Sequence, residues 1–146
     1  MNERRLDGWG YVLLLLGVGS VVNAGWMLAD PLAWYHDLPA AVPDTGPFNE
    51  HFVRDIGCAF LAVGVAQVWA AFSPVHRAPL VVVAAIFGVG HGVLHVFDTA
   101  RGAVPHEHWW LDLPGVYVPA VALAIVTLVS LRAGGGTHAP RAHRTT

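Results

Sequence analysis

The sequence predicts an all-α, four-helix transmembrane bundle with both termini on the cytoplasmic side. Of its 146 residues, 55% are hydrophobic and 12% are charged, and this charged fraction is about half that of an ordinary soluble domain. Four apolar stretches approach or reach the ~20 residues that a helix needs to cross ~30 Å of hydrocarbon. Because lipid offers the backbone no hydrogen-bond partners, an isolated span satisfies its own groups as a helix.

Proline-rich segments separate the spans and mark their ends. The predicted transmembrane domain is residues 1–131, with spans at about 9–29, 51–72, 80–100 and 115–131. A basic start and an apolar run would also suit a signal peptide, but the length of the first run and Asp7 before it favour a retained helix. Residues 132–146 carry three consecutive glycines and then polar and basic residues, which predicts a disordered cytoplasmic tail.

The distribution of arginine predicts the orientation. The N-terminus, the turn between spans 2 and 3, and the tail hold Arg4, Arg5, Arg77, Arg132, Arg141 and Arg144, whereas the other two loops hold only Arg101. By the positive-inside rule, both termini are then cytoplasmic. All eight basic residues are arginine, which is typical of a high-GC bacterial genome and suggests a bacterial plasma membrane as the location.

Ionisable side chains gather in the predicted outer halves of spans 2 and 3. Charges inside a span are costly and by default face the bundle interior. His51 and Asp55 are four residues apart, as are His91 and His95, so each pair shares a helix face. Asp98 follows His95 by three residues and joins that face. Because the two spans are antiparallel, both groups are expected at a similar depth.

We interpret this constellation as a metal site. Its predicted ligands are His51, His91, His95, Asp55 and Asp98, and its predicted supporting residues are Arg54, Asn49, Glu50 and Asn23. Imidazoles with carboxylates suit zinc, iron or copper. Haem is less favoured, because His91 and His95 project from one face and cannot clamp an iron from opposite sides. Arg54 is expected to point into the bundle and pair with Asp55 or Asp98.

One stretch resembles a known family. The run from Asn49 through Arg54 to Gly57, followed by an apolar run to Gly64, resembles the second helix of DoxX-like small four-helix bacterial membrane proteins. The likeness covers about sixteen residues and the four-span layout, and it implies a four-helix fold. Some members are linked to quinone-coupled oxidation of sulfur compounds. His91, His95 and Asp98 lie outside the family pattern.

Three functions remain open, and the sequence does not decide whether the chain is an enzyme. The first is a membrane protein with a His/Asp metal site in the outer half of the bundle that serves redox chemistry or metal handling. The second is a metal-free quinone- or proton-handling subunit of a membrane redox or transport complex. The third is a structural accessory protein that forms a homodimer through small residues such as Gly88 and Gly92. The bilayer is the common partner, and the absence of a large basic patch argues against nucleic acid.

Overall fold

A computed structural model describes residues 6–135, and over this range the chain is helical and contains no strand. Short helices and turns connect four long helices. In chain order the elements are α1 (Gly8–Ala29), α2 (Pro31–Asp37), a 3-10 turn (Val42–Thr45), α3 (Glu50–Phe72), α4 (Arg77–Ala100), α5 (His108–Leu111), a π-helical turn (Leu113–Tyr117) and α6 (Val118–Gly135).

Four segments are long and apolar enough to cross a membrane: Gly8–Ala29, Glu50–Phe72, Arg77–Ala100 and Leu113–Ala133. The four predicted spans are confirmed. Large apolar side chains remain exposed along all of them, as expected for helices that contact lipid rather than water. The chain is therefore a multi-pass membrane protein. Residues 132–135, which were predicted to be disordered, continue α6, and the rest of the predicted tail lies outside the described residues.

Glycines allow the long helices to approach closely in two pairs. α1 packs along α3 and α4 packs along α6, while α3 and α4 join the two pairs. A Cβ on Gly64 would lie 2.9 Å from the carbonyl oxygen of Gly17. Gly88 and Gly92 meet α6 in the same way, with a Cβ on Gly88 lying 2.9 Å from the Leu123 side chain. The predicted close contacts between small residues therefore occur inside the bundle.

The apolar core lies at the end of the bundle that carries the termini, which we call the terminal end. Its fully buried members are Leu13, Ala70, Ala71, Val81, Ala84, Leu123 and Val126. Buried Arg77 ties three helices together there. Its guanidinium donates to both carboxylate oxygens of Asp7, at 2.7 and 2.9 Å, and to the Ala70 carbonyl at 3.2 Å. These bonds join the start of α1, the end of α3 and the start of α4.

The bond from Arg77 also affects the acid that caps α1. Asp7 accepts a hydrogen bond from the Gly10 amide at 2.7 Å, and its hydrogen bond with Arg77 is the main reason that its pKa lies below its usual range. A carboxylate with a depressed pKa stabilises the fold above the pKa of the unfolded state. Asp7 therefore stabilises the fold at neutral pH, and this contribution is lost as the pH falls through the lowered pKa.

The opposite end of the bundle is covered by residues 31–48 and 102–117, which we call the cap. Asn23 attaches the cap to α1, because its side-chain oxygen accepts a hydrogen bond from the Trp34 indole at 2.9 Å. The Tyr35 hydroxyl donates to the Gly46 carbonyl at 2.7 Å and folds the first cap segment back on itself. Asn23, which was predicted to support a metal site, thus positions the cap.

Candidate functional site

Asp112 forms the centre of a polar cluster under the cap. Its side chain is 1% exposed and lies between two imidazoles. One carboxylate oxygen is 2.8 Å from His95 Nδ1 and 3.3 Å from His108 Nδ1. The backbone amides of Val116 and Tyr117 both donate to the Asp112 carbonyl, at 2.8 and 3.1 Å. The π-helical turn that follows Asp112 (Leu113–Tyr117) therefore fixes the position of Asp112 just before α6.

The cluster reaches the surface through His108. This imidazole is 1% exposed, and its Nε2 lies 3.4 Å from a carboxylate oxygen of Asp44, whose side chain is 43% exposed. Nε2 makes no hydrogen bond within residues 6–135. Nε2 and the Asp44 oxygen are therefore close to each other but not aligned for a hydrogen bond. Asp44 belongs to the 3-10 turn of the cap, which places a solvated carboxylate over a buried imidazole.

The cluster also extends into the span through α4. The rings of His95 and His91 are 4.5 Å apart between centroids. His91 lies among aromatic rings, with Phe60 of α3 at 5.6 Å and a parallel Phe87 at 5.8 Å. It precedes the end of α4 by nine residues, or about 13 Å at 1.5 Å per residue. We call the series Asp44, His108, Asp112, His95 and His91 the relay.

The structure places the predicted pair His51 and Asp55 elsewhere. These side chains are 89% and 62% exposed, and they contact each other at 3.4 Å. Phe60 marks the face of α3 that meets α4 at His91. At about 100° per residue, Asp55 is rotated by about 140° from Phe60, and His51 by about 180°. A similar depth in the bundle therefore does not bring His51 and Asp55 to the histidines of α4, because the two residues face away from α4.

The predicted partner of Arg54 is wrong. Its guanidinium pairs with Glu50, one turn earlier on the same face of α3, and its Nε donates to the Leu28 carbonyl at 3.4 Å. Asp98, one of the expected partners, instead pairs with Arg101 at 2.8 Å. Both arginines thus form local pairs near helix ends.

The remaining supporting residue, Asn49, caps α3. Its side-chain oxygen accepts a hydrogen bond from the Phe52 amide at 3.1 Å, which satisfies an unpaired donor at the first turn of the helix. Asn49 therefore defines where α3 begins and does not contact the relay.

Of the five predicted metal ligands, only His91 and His95 lie together and in the relay. In residues 6–135, no group of three His, Cys, Asp or Glu side chains is arranged to hold a metal ion. Binding of zinc, iron, copper or haem stays a prediction. Asp112, His108 and Asp44 are not among the predicted ligands or supporting residues. His108 and Asp112 do show the four-residue spacing used for the other pairs, but they lie in a loop rather than in a span.

Comparison of the chain with protein-family models, curated proteins and solved structures gave no match. The resemblance to DoxX-like proteins therefore stays a prediction. The fold and site together define a class: a multi-pass helical membrane protein with a buried His/Asp relay beneath a helical cap. Any function must accordingly be argued from the chemistry of the relay.

Proposed function

We propose that this chain is a bacterial plasma-membrane protein, with both termini in the cytoplasm, that handles protons. It passes them between the outer surface and the interior of the bundle as a subunit of a membrane redox or transport complex. The observation that carries this proposal is the relay itself. It runs from half-exposed Asp44 through buried His108 and Asp112 to His95 and His91 within the span.

Alternating imidazoles and carboxylates suit proton transfer. An imidazole can gain a proton on one ring nitrogen and release it from the other, and its protonation changes readily near neutral pH. Asp112 lies against Nδ1 of both His95 and His108. Since a carboxylate accepts hydrogen bonds, it favours protonated Nδ1 on each ring. A proton that arrives at His108 Nε2 lets that ring release its Nδ1 proton to Asp112, which passes it to His95 when His95 Nδ1 is unprotonated.

The charges around Asp112 support the same function. Within residues 6–135 its side-chain hydrogen-bond partners are imidazoles, whereas Arg77 pairs with Asp7 and Arg101 pairs with Asp98. A buried carboxylate needs a compensating positive charge or a proton. An imidazole supplies such a charge reversibly, while an arginine would supply it permanently. The relay is therefore suited to hold a proton that can move.

The inner end of the relay supports a role within a complex. His91 lies against Phe60 and Phe87, and the bundle continues toward the terminal end as the apolar core that includes Leu13 and Val81. Such a core offers no further proton acceptors. We infer that a proton which reaches His91 passes to another molecule in the membrane, as in a subunit that serves a neighbouring redox or transport protein.

Infrared difference spectroscopy after a pH step tests the proposal on the full chain in lipid nanodiscs. We expect carboxyl and imidazole bands to change together, because Asp112 exchanges protons with the rings that contact it. The Asp112→Asn and His95→Gln substitutions should each remove this joint response, whereas His51→Gln, on the exposed face of α3, should leave it intact. A joint response that survives in both relay variants would contradict proton handling and favour a purely structural network.

Cysteine labelling tests the orientation. With Cys58 replaced by alanine, a single cysteine is introduced at exposed Asp37 in the cap or at exposed His76 in the turn before α4. Because of the arginine distribution, we expect a membrane-impermeant maleimide to label Asp37→Cys in intact cells. It should label His76→Cys only after the membrane is permeabilised. The opposite pattern would reverse the orientation.

A further inference from the structure

The outer end of the relay contains a buried nitrogen without a hydrogen-bond partner. His108 is 1% exposed, and its Nε2 makes no hydrogen bond within residues 6–135. Leaving a buried polar atom unpaired costs about 1–3 kcal/mol, so such atoms normally meet an ordered water, an ion or a ligand. The atom that faces Nε2 is a carboxylate oxygen of Asp44, at 3.4 Å.

This separation matches the spacing between two ligands of a tetrahedral metal ion. Nitrogen and oxygen ligands lie about 2.0–2.2 Å from zinc, so two of them at the tetrahedral angle are about 3.3–3.6 Å apart. His108 Nε2 and Asp44 are spaced accordingly. The ring nitrogen and this oxygen are not aligned for a hydrogen bond, and an ion between them would contact both.

The second ring nitrogen of His108, Nδ1, contacts a carboxylate, as it commonly does in metal-binding histidines. Nδ1 lies 3.3 and 3.4 Å from the two oxygens of Asp112. Metal-ligating histidines commonly donate their second ring N–H to a carboxylate, which fixes the tautomer and makes the ligating nitrogen more basic. Asp112 thus leaves the Nε2 lone pair of His108 available for an ion on the side where Asp44 lies.

We propose that His108 Nε2 and the Asp44 carboxylate bind one divalent transition-metal ion of the zinc class at the outer end of the relay. No third His, Cys, Asp or Glu completes the site within residues 6–135, so water fills the remaining positions and the ion exchanges with solvent. Its regulatory effect rests on the proposed function. An ion on Nε2 occupies the position where a proton enters and thereby closes the relay to the outer surface.

The chain contains a matched control for this site. His51 Nε2 and Asp55 are also 3.4 Å apart, so they present the same pair of atoms at the same spacing. The His51 side chain is 89% exposed, and no buried carboxylate of the described residues contacts its second nitrogen. The two sites therefore have equal spacing but differ in whether a carboxylate holds the second ring nitrogen. The proposal requires such a carboxylate.

Zinc binding to the full chain in nanodiscs, measured by competition with a chromophoric zinc indicator, tests the proposal. We expect one site in the parent, and a loss of affinity of about tenfold or more in Asp44→Asn and in His108→Gln. Asp112→Asn should weaken binding by about 10–100-fold through the orientation of His108. His51→Gln should bind as the parent does. No zinc binding by the parent, or its loss in His51→Gln, would overturn the proposal.

Two further measurements separate this site from the proposed function. Asp44 lies on a surface turn, so Asp44→Asn should unfold at the parent temperature and its loss of zinc should not reflect misfolding. Infrared pH-step spectra recorded without zinc test the relay independently. Zinc bound through Asp44 without a joint carboxyl and imidazole response supports the metal site and contradicts proton handling. A joint response without zinc binding overturns the metal site alone.

Discussion

Replacing Asp112 with leucine is expected to destabilise the cap by about 1–3 kcal/mol and to abolish proton exchange along the relay. Asp112 is the hydrogen-bond acceptor for both His95 and His108. A buried donor left without an acceptor costs about 1–3 kcal/mol, which applies to His108 at 1% exposure, while the His95 side chain is 21% exposed and loses less. Asp112→Asn should retain most of the stability, because an amide can accept from one ring and donate to the other.

Thermal unfolding in detergent and infrared pH-step spectra, recorded on the same samples, check this prediction. Asp55→Leu is the matched control, because it removes a carboxylate from the first half of α3 that is 62% exposed and contacts the His51 imidazole. We expect Asp55→Leu to unfold close to the parent temperature. If Asp112→Leu were as stable as the parent, Asp112 would not be the buried acceptor on which the relay depends.

Replacing Gly64 with leucine is expected to separate α1 from α3 and to destabilise the bundle by about 2–3 kcal/mol, near the top of the usual range for overpacking. A Cβ at Gly64 would lie 2.9 Å from the Gly17 carbonyl oxygen and 2.9 Å from the Val21 side chain. Because the nearest obstacle is backbone, a change of rotamer cannot relieve the overlap. The two helices must move apart and lose contacts along their interface.

Gly19→Leu is the control for this prediction, since a Cβ at Gly19 meets nothing within 4 Å. It introduces the same side chain on α1, two residues from the crossing point at Gly17. Thermal unfolding in detergent should show a marked decrease for Gly64→Leu and little change for Gly19→Leu. Equal effects would indicate that the loss does not come from the contact with α3, because leucine in place of glycine otherwise favours a helix.

The sequence alone determined the number and extent of the spans. Their length, hydropathy and proline boundaries are local properties, and the four long helices formed where these properties predicted them. Helical spacing also identified His91 and His95 as neighbours on one face, and the rings are 4.5 Å apart. These features depend on residues within about one turn of each other, so they can be predicted from the sequence alone.

Tertiary structure decided which polar residues meet. The rise per residue predicts the depth of a side chain, but the rotation of each helix about its axis depends on contacts such as that between Gly17 and Gly64. That rotation turned Phe60 toward α4. The path of the cap likewise brought Asp112 within 2.8 Å of His95, seventeen residues earlier in the chain. The centre of the relay lies in a loop, and its place over the bundle follows from packing between distant segments, which no local pattern contains.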